Sequence, residues 1–173
     1  MPIYALADEQ PTIDPTAYVH PDAVIIGAVT IGAESSIWPG AVLRGDGGGT
    51  ITVGAGTSIQ DNCVIHTTAE HPTRIGDRCL IGHLVHLEGC IVEDDAMVGN
   101  AAMVLHRSII RSFAIVAANS VVLNDIEVPS GAIAAGSPAT IKLGKARPEL
   151  IVEGVLHYVE RSRHYAAQLR RIG

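Results

Sequence analysis

Aliphatic side chains return at every sixth position along most of this chain, first at Ile13, Val19, Ile25, Ile31, Ile37 and Leu43. The series resumes at Val53, Ile59 and Ile65 and again at Ile75, Ile81 and Leu87, slips by one residue, and runs on through Val92, Val98, Val104, Ile110, Val116, Val122 and Val128. Neither a helix nor an alternating strand has that period, so it belongs to a larger repeating unit. Three short strands joined by turns close one coil of about 18 residues, each strand sending one aliphatic side chain inward. Successive coils stack at the strand spacing of about 4.8 Å, so residues one coil apart form columns. The fold predicted for residues 1–144 is therefore all-β, a left-handed parallel β-helix of hexapeptide repeats. A β-sandwich predicts no constant six-residue period. Gly27, Gly32, Gly54, Gly76, Gly82, Gly99 and Asn100 fall at corners and are expected to supply backbone angles that other residues avoid.

After Gly144 the pattern changes. Ile151, Val155, Tyr158, Val159, Ala166 and Leu169 fall mostly on one helical stripe between Pro148 and Arg171. Pro148 suits a helix start, and Arg170 and Arg171 suit its end. Residues 145–173 are thus expected to form an amphipathic helix lying on the prism or on a neighbouring subunit.

Composition narrows the picture. One Phe, one Trp and four Tyr among 173 residues point to a core of thin aliphatic layers. A net charge of −6 without a dense basic cluster argues against a nucleic-acid partner. No stretch approaches the apolar length of a membrane span, and the first residues lack a secretory pattern, so the expectation is a soluble, cytoplasmic protein. Cys63, Cys79 and Cys90 form no CxxC pair and suit free thiols in a reducing compartment.

The candidate chemistry comes from two interruptions of the period. Leu43 to Val53 and Ile65 to Ile75 each span ten residues instead of six, so each coil there carries a four-residue excursion and the coil spacing becomes 22. Pro39, Asp61 and His83 then share a column, Trp38, Gln60 and Gly82 another, and Arg44, His66 and Glu88 a third. His66 and Glu88 follow the inward Ile65 and Leu87, so both point outward on one face. His83 lies near a corner about a third of a turn away. In a threefold assembly, His83 of one chain can meet His66 and Glu88 of the next, giving three identical interfacial sites. Two imidazoles and a carboxylate leave one position of a tetrahedral zinc open, as in catalytic sites. His86, also outward on this face, is an alternative donor to Glu88.

The run from Trp38 to Asp46, the segment Ile59-Gln60-Asp61-Asn62 leading to His66, and Ile81-Gly82-His83 leading to Gly89-Cys90 resemble the γ-class carbonic anhydrases and their relatives from bacterial carnitine and phenylacetate operons. The resemblance covers about Ile13 to Lys142. It implies a homotrimer that interconverts carbon dioxide and bicarbonate on zinc, or on iron or cobalt, held by three histidines. Two of these match His66 and His83; the third is replaced by Glu88. It further implies an interfacial ion pair of Arg44 and Asp46, and roles for Gln60 and Asp61 in orienting the reacting water and bicarbonate. Glu70 or His71 in the second excursion matches an acidic proton-shuttle loop only loosely, and His106 stands where relatives carry Asp. A carboxylate neutralises more of the metal charge than an imidazole does, so Glu88 implies weaker hydration activity. Two other classes remain open. One is a non-catalytic structural or assembly homologue; the other is a hexapeptide acyltransferase using coenzyme A, since Gly136-Ser137-Pro138-Ala139 is common to both branches of the fold.

Overall fold

The computed structural model describes residues 2–173. Short strands succeed one another around three faces, and all but the last pair in parallel with a counterpart one coil away, giving sheets of seven, seven and eight strands. The first face contains Val24–Gly27, Val42–Gly45, Val64–His66, His86–Glu88, Met103–Val104 and Val121–Val122. The second carries Ile51–Val53 and Thr73–Ile75, and the third carries Ser36–Ile37, Ser58–Ile59 and Leu80–Ile81. This is the parallel β-helix that the six-residue period predicts. Every member of the aliphatic series from Ile25 to Val128 lies in one continuous buried core, while Ile13 and Val19 at the open end are partly covered. Each such side chain withdrawn from water contributes about 1.5–3 kcal/mol before chain entropy is counted.

The two excursions fall in register. Thr68 and His71 exchange backbone hydrogen bonds of 3.2 Å across the second loop, and a Cβ on Gly49 in the first would come within 2.6 Å of the Thr68 carbonyl carbon. The loops therefore stack as the coils do.

Most corner glycines serve a purpose other than the expected one. Of the expected set only Gly27 has a positive φ; left-handed angles fall instead on residues such as Glu34, Arg78, Leu84 and Ala101. At Gly32 the constraint is the next coil: a Cβ there would lie 2.7 Å from the Gly54 carbonyl carbon. Glycine is required by close vertical stacking, and the bend itself falls two residues later.

At the far end, Thr140–Lys142 turns back and pairs antiparallel with Ile133–Ala135, closing the last edge of the third face. The helix α1 spans Pro148–Gln168 and begins with proline in its first turn. It ends before the expected Arg171, because Leu169 takes an extended conformation, with ψ of 127°. Arg170 and Arg171 thus lie beyond the helix. Ile151 and Val155 of α1 pack with Leu80 and Ile115 on the third face. Trp38 anchors the other half, with ring centroids 5.6 Å from Tyr158 and 5.1 Å from Tyr165, and its indole N–H donates to Ser36 Oγ and Ser58 Oγ at 3.0 and 3.1 Å. Gly154 lies so close to Leu80 Cδ1 that a side chain there would collide with it.

Gly154→Val is expected to lower stability by about 1–3 kcal/mol, the usual cost of overpacking, and to speed proteolysis of the last 25 or so residues. Urea denaturation and timed digestion check this.

Candidate functional site

Parallel register places Val64 beside His86, Ile65 beside Leu87 and His66 beside Glu88, with Arg44 beside His66 on the other flank. Ile65 and Leu87 are fully buried, so strand alternation turns His66 and Glu88 outward together. His66 Nδ1 lies 2.8 Å from Glu88 Oε1, and its Nε2 lies 2.9 Å from Asp46 Oδ1. Donor and acceptor roles at the two ring nitrogens follow the tautomer, since a neutral imidazole carries a single N–H. Glu88 also meets His86 Nε2 at 3.3 Å through Oε2 and His106 Nε2 at 3.6 Å through Oε1. One carboxylate is thus ringed by three imidazoles. Arg44 and Asp46 pair within the chain, and that pairing aims the second oxygen of Asp46 at His66.

His83 occupies the corner between the third and first faces. Its ring Nδ1–H donates to Asp61 Oδ2 at 2.8 Å, and its backbone N–H donates to Asn100 Oδ1 at 3.1 Å. Among the described residues, Nε2 has no partner, and the side chain is 44% exposed. A histidine anchored through one nitrogen by a carboxylate, with the other nitrogen presented outward, has the orientation of a metal ligand. Gln60 is buried, while Asp61 is half exposed and committed to His83.

Asp46 and His106 join the His66–Glu88 cluster although sequence spacing assigned neither to it. Part of the signal was present, since Asp46 opens the first excursion. His71 turns away to stack on His106 at 5.7 Å and to accept a 3.2 Å hydrogen bond from Arg107. Glu70 and His71 line a cavity of about 310 Å³ together with Arg74 and Arg107.

No three His, Cys, Asp or Glu side chains within one chain surround a common point among the described residues. The donor chemistry nonetheless fits a zinc-type cation. His83 offers an oriented free nitrogen, His106 Nε2 is buried without a hydrogen bond, and Glu88 and His66 lie side by side. The thiols are excluded: Cys63, Cys79 and Cys90 are all buried, and burial pushes each up to about 12.

Burial pushes the Glu88 carboxyl up, but the hydrogen bond from His66, the charges of His66 and His106 and the hydrogen bond from His86 outweigh it and hold the group below 4.5. A depressed folded-state value adds stability above the unfolded value, and that stability is lost as pH falls through the folded value. In metal-free protein, the stability advantage of the parent over Glu88→Gln is therefore expected to be full at pH 6 and to shrink below about pH 4.5. Paired urea midpoints at the two pH values measure it.

No family model matches the chain. It is 39% identical over 169 residues to Gamma carbonic anhydrase 1, mitochondrial, of Arabidopsis thaliana, covering 93% of this chain and 61% of that protein. It thus spans about three fifths of the length of that plant relative. Carnitine operon protein CaiE of Escherichia coli is 40% identical over 139 residues, covering 80% of this chain and 70% of the relative. Among solved structures, a hexapeptide transferase family protein from Anaplasma phagocytophilum superposes with a TM-score of 0.89 at 36% identity, covering 95% of this chain and 98% of that one. The fold agrees with these similarities, and the chain belongs to the γ-carbonic anhydrase-like family of hexapeptide-repeat proteins.

Proposed function

We propose that the protein catalyses metal-dependent reversible hydration of carbon dioxide at the interfaces of a homotrimer, with modest activity because Glu88 replaces an imidazole. The observation that carries this reading is the split donor set. His66 and Glu88 adjoin on the first face, and His83 faces outward a corner away with its ring already anchored by Asp61. One chain cannot bring the three together, whereas a cyclic arrangement of three copies supplies His83 of the partner subunit to each His66–Glu88 pair. The first face is suited to such a contact. Its outward column of Val24, Val42, Val64, His86, Met103 and Val121 is apolar apart from His86, and Val64 and Met103 are 43% and 46% exposed in the single chain.

His66, Glu88 and His83 of the partner subunit hold the cation, zinc in the first instance, with iron or cobalt as alternatives. The ion supplies a Lewis acid that makes hydroxide available near neutral pH. Asp61 fixes the His83 tautomer, and the Gln60 amide with the Asp61 carboxylate orients the reacting water and the bicarbonate product. Asp46, held by Arg44, orients His66. Three buried free thiols support a reducing, cytoplasmic setting, and no described helix is long and apolar enough to cross a membrane.

Acyl transfer is the second reading, favoured by the transferase relatives among solved structures. A chain prepared without chelator is expected to carry about one zinc and to show stopped-flow hydration of carbon dioxide. His66→Ala and His83→Ala are each expected to remove metal from every site, lowering affinity by at least the about 10–100-fold that even outer partners are worth. Glu88→His is expected to raise both zinc affinity and turnover. A metal-free trimer without turnover points to an assembly role, and acyl-CoA-dependent transfer points to the second reading.

A further inference from the structure

We infer that His106 is a further metal ligand, donating Nε2 to the same cation as His66 and Glu88. The inference rests on the reading above and adds a residue to it. His106 lies in the turn just after the strand Met103–Val104, one coil beyond Gly89 and so beside Glu88. Among the described residues its buried Nε2 has no hydrogen-bond partner, an arrangement that folded proteins avoid unless something else fills the gap.

The atom points at a specific place. Nε2 is 3.6 Å from Glu88 Oε1, beyond hydrogen-bond range. Two donors on one tetrahedral zinc, with bonds of about 2.0–2.1 Å, stand about 3.3 Å apart. The His106–Glu88 separation is therefore close to a ligand-to-ligand distance. His66 Nδ1 lies 2.8 Å from the same oxygen, a hydrogen bond, and the three groups do not surround a common point in the isolated chain among the described residues. A cation entering between them replaces that hydrogen bond and spreads the three donors around itself.

The place of the ring is built into the coil. Gly89 has φ of +60°, and a Cβ there would lie 2.6 Å from His106 Cδ2 and 2.8 Å from His71 Cβ. Only glycine lets the His106 imidazole lie against the backbone beside Glu88, and the His71 ring lies 5.7 Å from it, tilted by 39°. His86 is the weaker candidate, because its Nε2 already bonds Glu88 Oε2 at 3.3 Å. With His83 of the partner subunit this makes four protein donors, so water reaches the ion only at a fifth position, in keeping with modest hydration.

The test uses the full chain, freed of metal and titrated with Co2+ alone. X-ray absorption is expected to count three imidazoles per cobalt in the parent and two in His106→Phe, which keeps a ring of similar size, and affinity is expected to fall about tenfold or more. In the parent loaded with cadmium-113, a scalar coupling from the metal to His106 Nε2 reports the same ligation without a substitution. An unchanged imidazole count and affinity in His106→Phe, or no coupling to His106 in the cadmium-loaded parent, overturns the inference while His66→Ala still abolishes binding. A parent that binds no Co2+ overturns this inference and the metal-dependent function together.

Discussion

Vertical register between coils is the constraint on which everything else depends. Each strand bonds to the same positions one coil above and below, so a residue's neighbours are set by counting along the chain. Inward aliphatic columns give a continuous core, and outward columns give faces with a fixed chemical sequence. A one-residue slip would bury His66 and expose Ile65, exchanging a fully apolar column for a charged one. The energetic weight of the core thus holds the site in line, although no core residue touches the chemistry.

Carboxylates organise every imidazole of the site. Asp61 orients His83, Asp46 and Glu88 hold His66 from two sides, and Glu88 alone gathers His66, His86 and His106. This resembles the outer layer of a metal centre, where acidic groups fix ring tautomers and raise ligand basicity. Glu88 differs from the others in meeting three imidazoles at once, so it both organises them and competes for them.

The repeat was legible because its period is long-lived and its residues are of one kind. The columns followed from two excursions of equal length, and the pairing of His66 with Glu88 is the clearest case. Tertiary detail was less legible. Gly32 sits at its corner because of the Gly54 backbone in the next coil, a contact that no local turn rule contains. The approach of His106 to Glu88 crosses a coil without an excursion, where spacing drops back from 22 residues, and it depends on Gly89 making room. The end of α1 was also misplaced, since the apolar stripe runs on through Leu169 while the backbone does not.

The reversed strand Thr140–Lys142 has a consequence beyond local packing. A β-helix is open at both ends, and an uncovered parallel rung is a template onto which another molecule can add its own first rung. Running the final strand backwards along Ile133–Ala135 presents the wrong polarity for such growth on the third face. End-to-end growth into fibres is thereby disfavoured along this face.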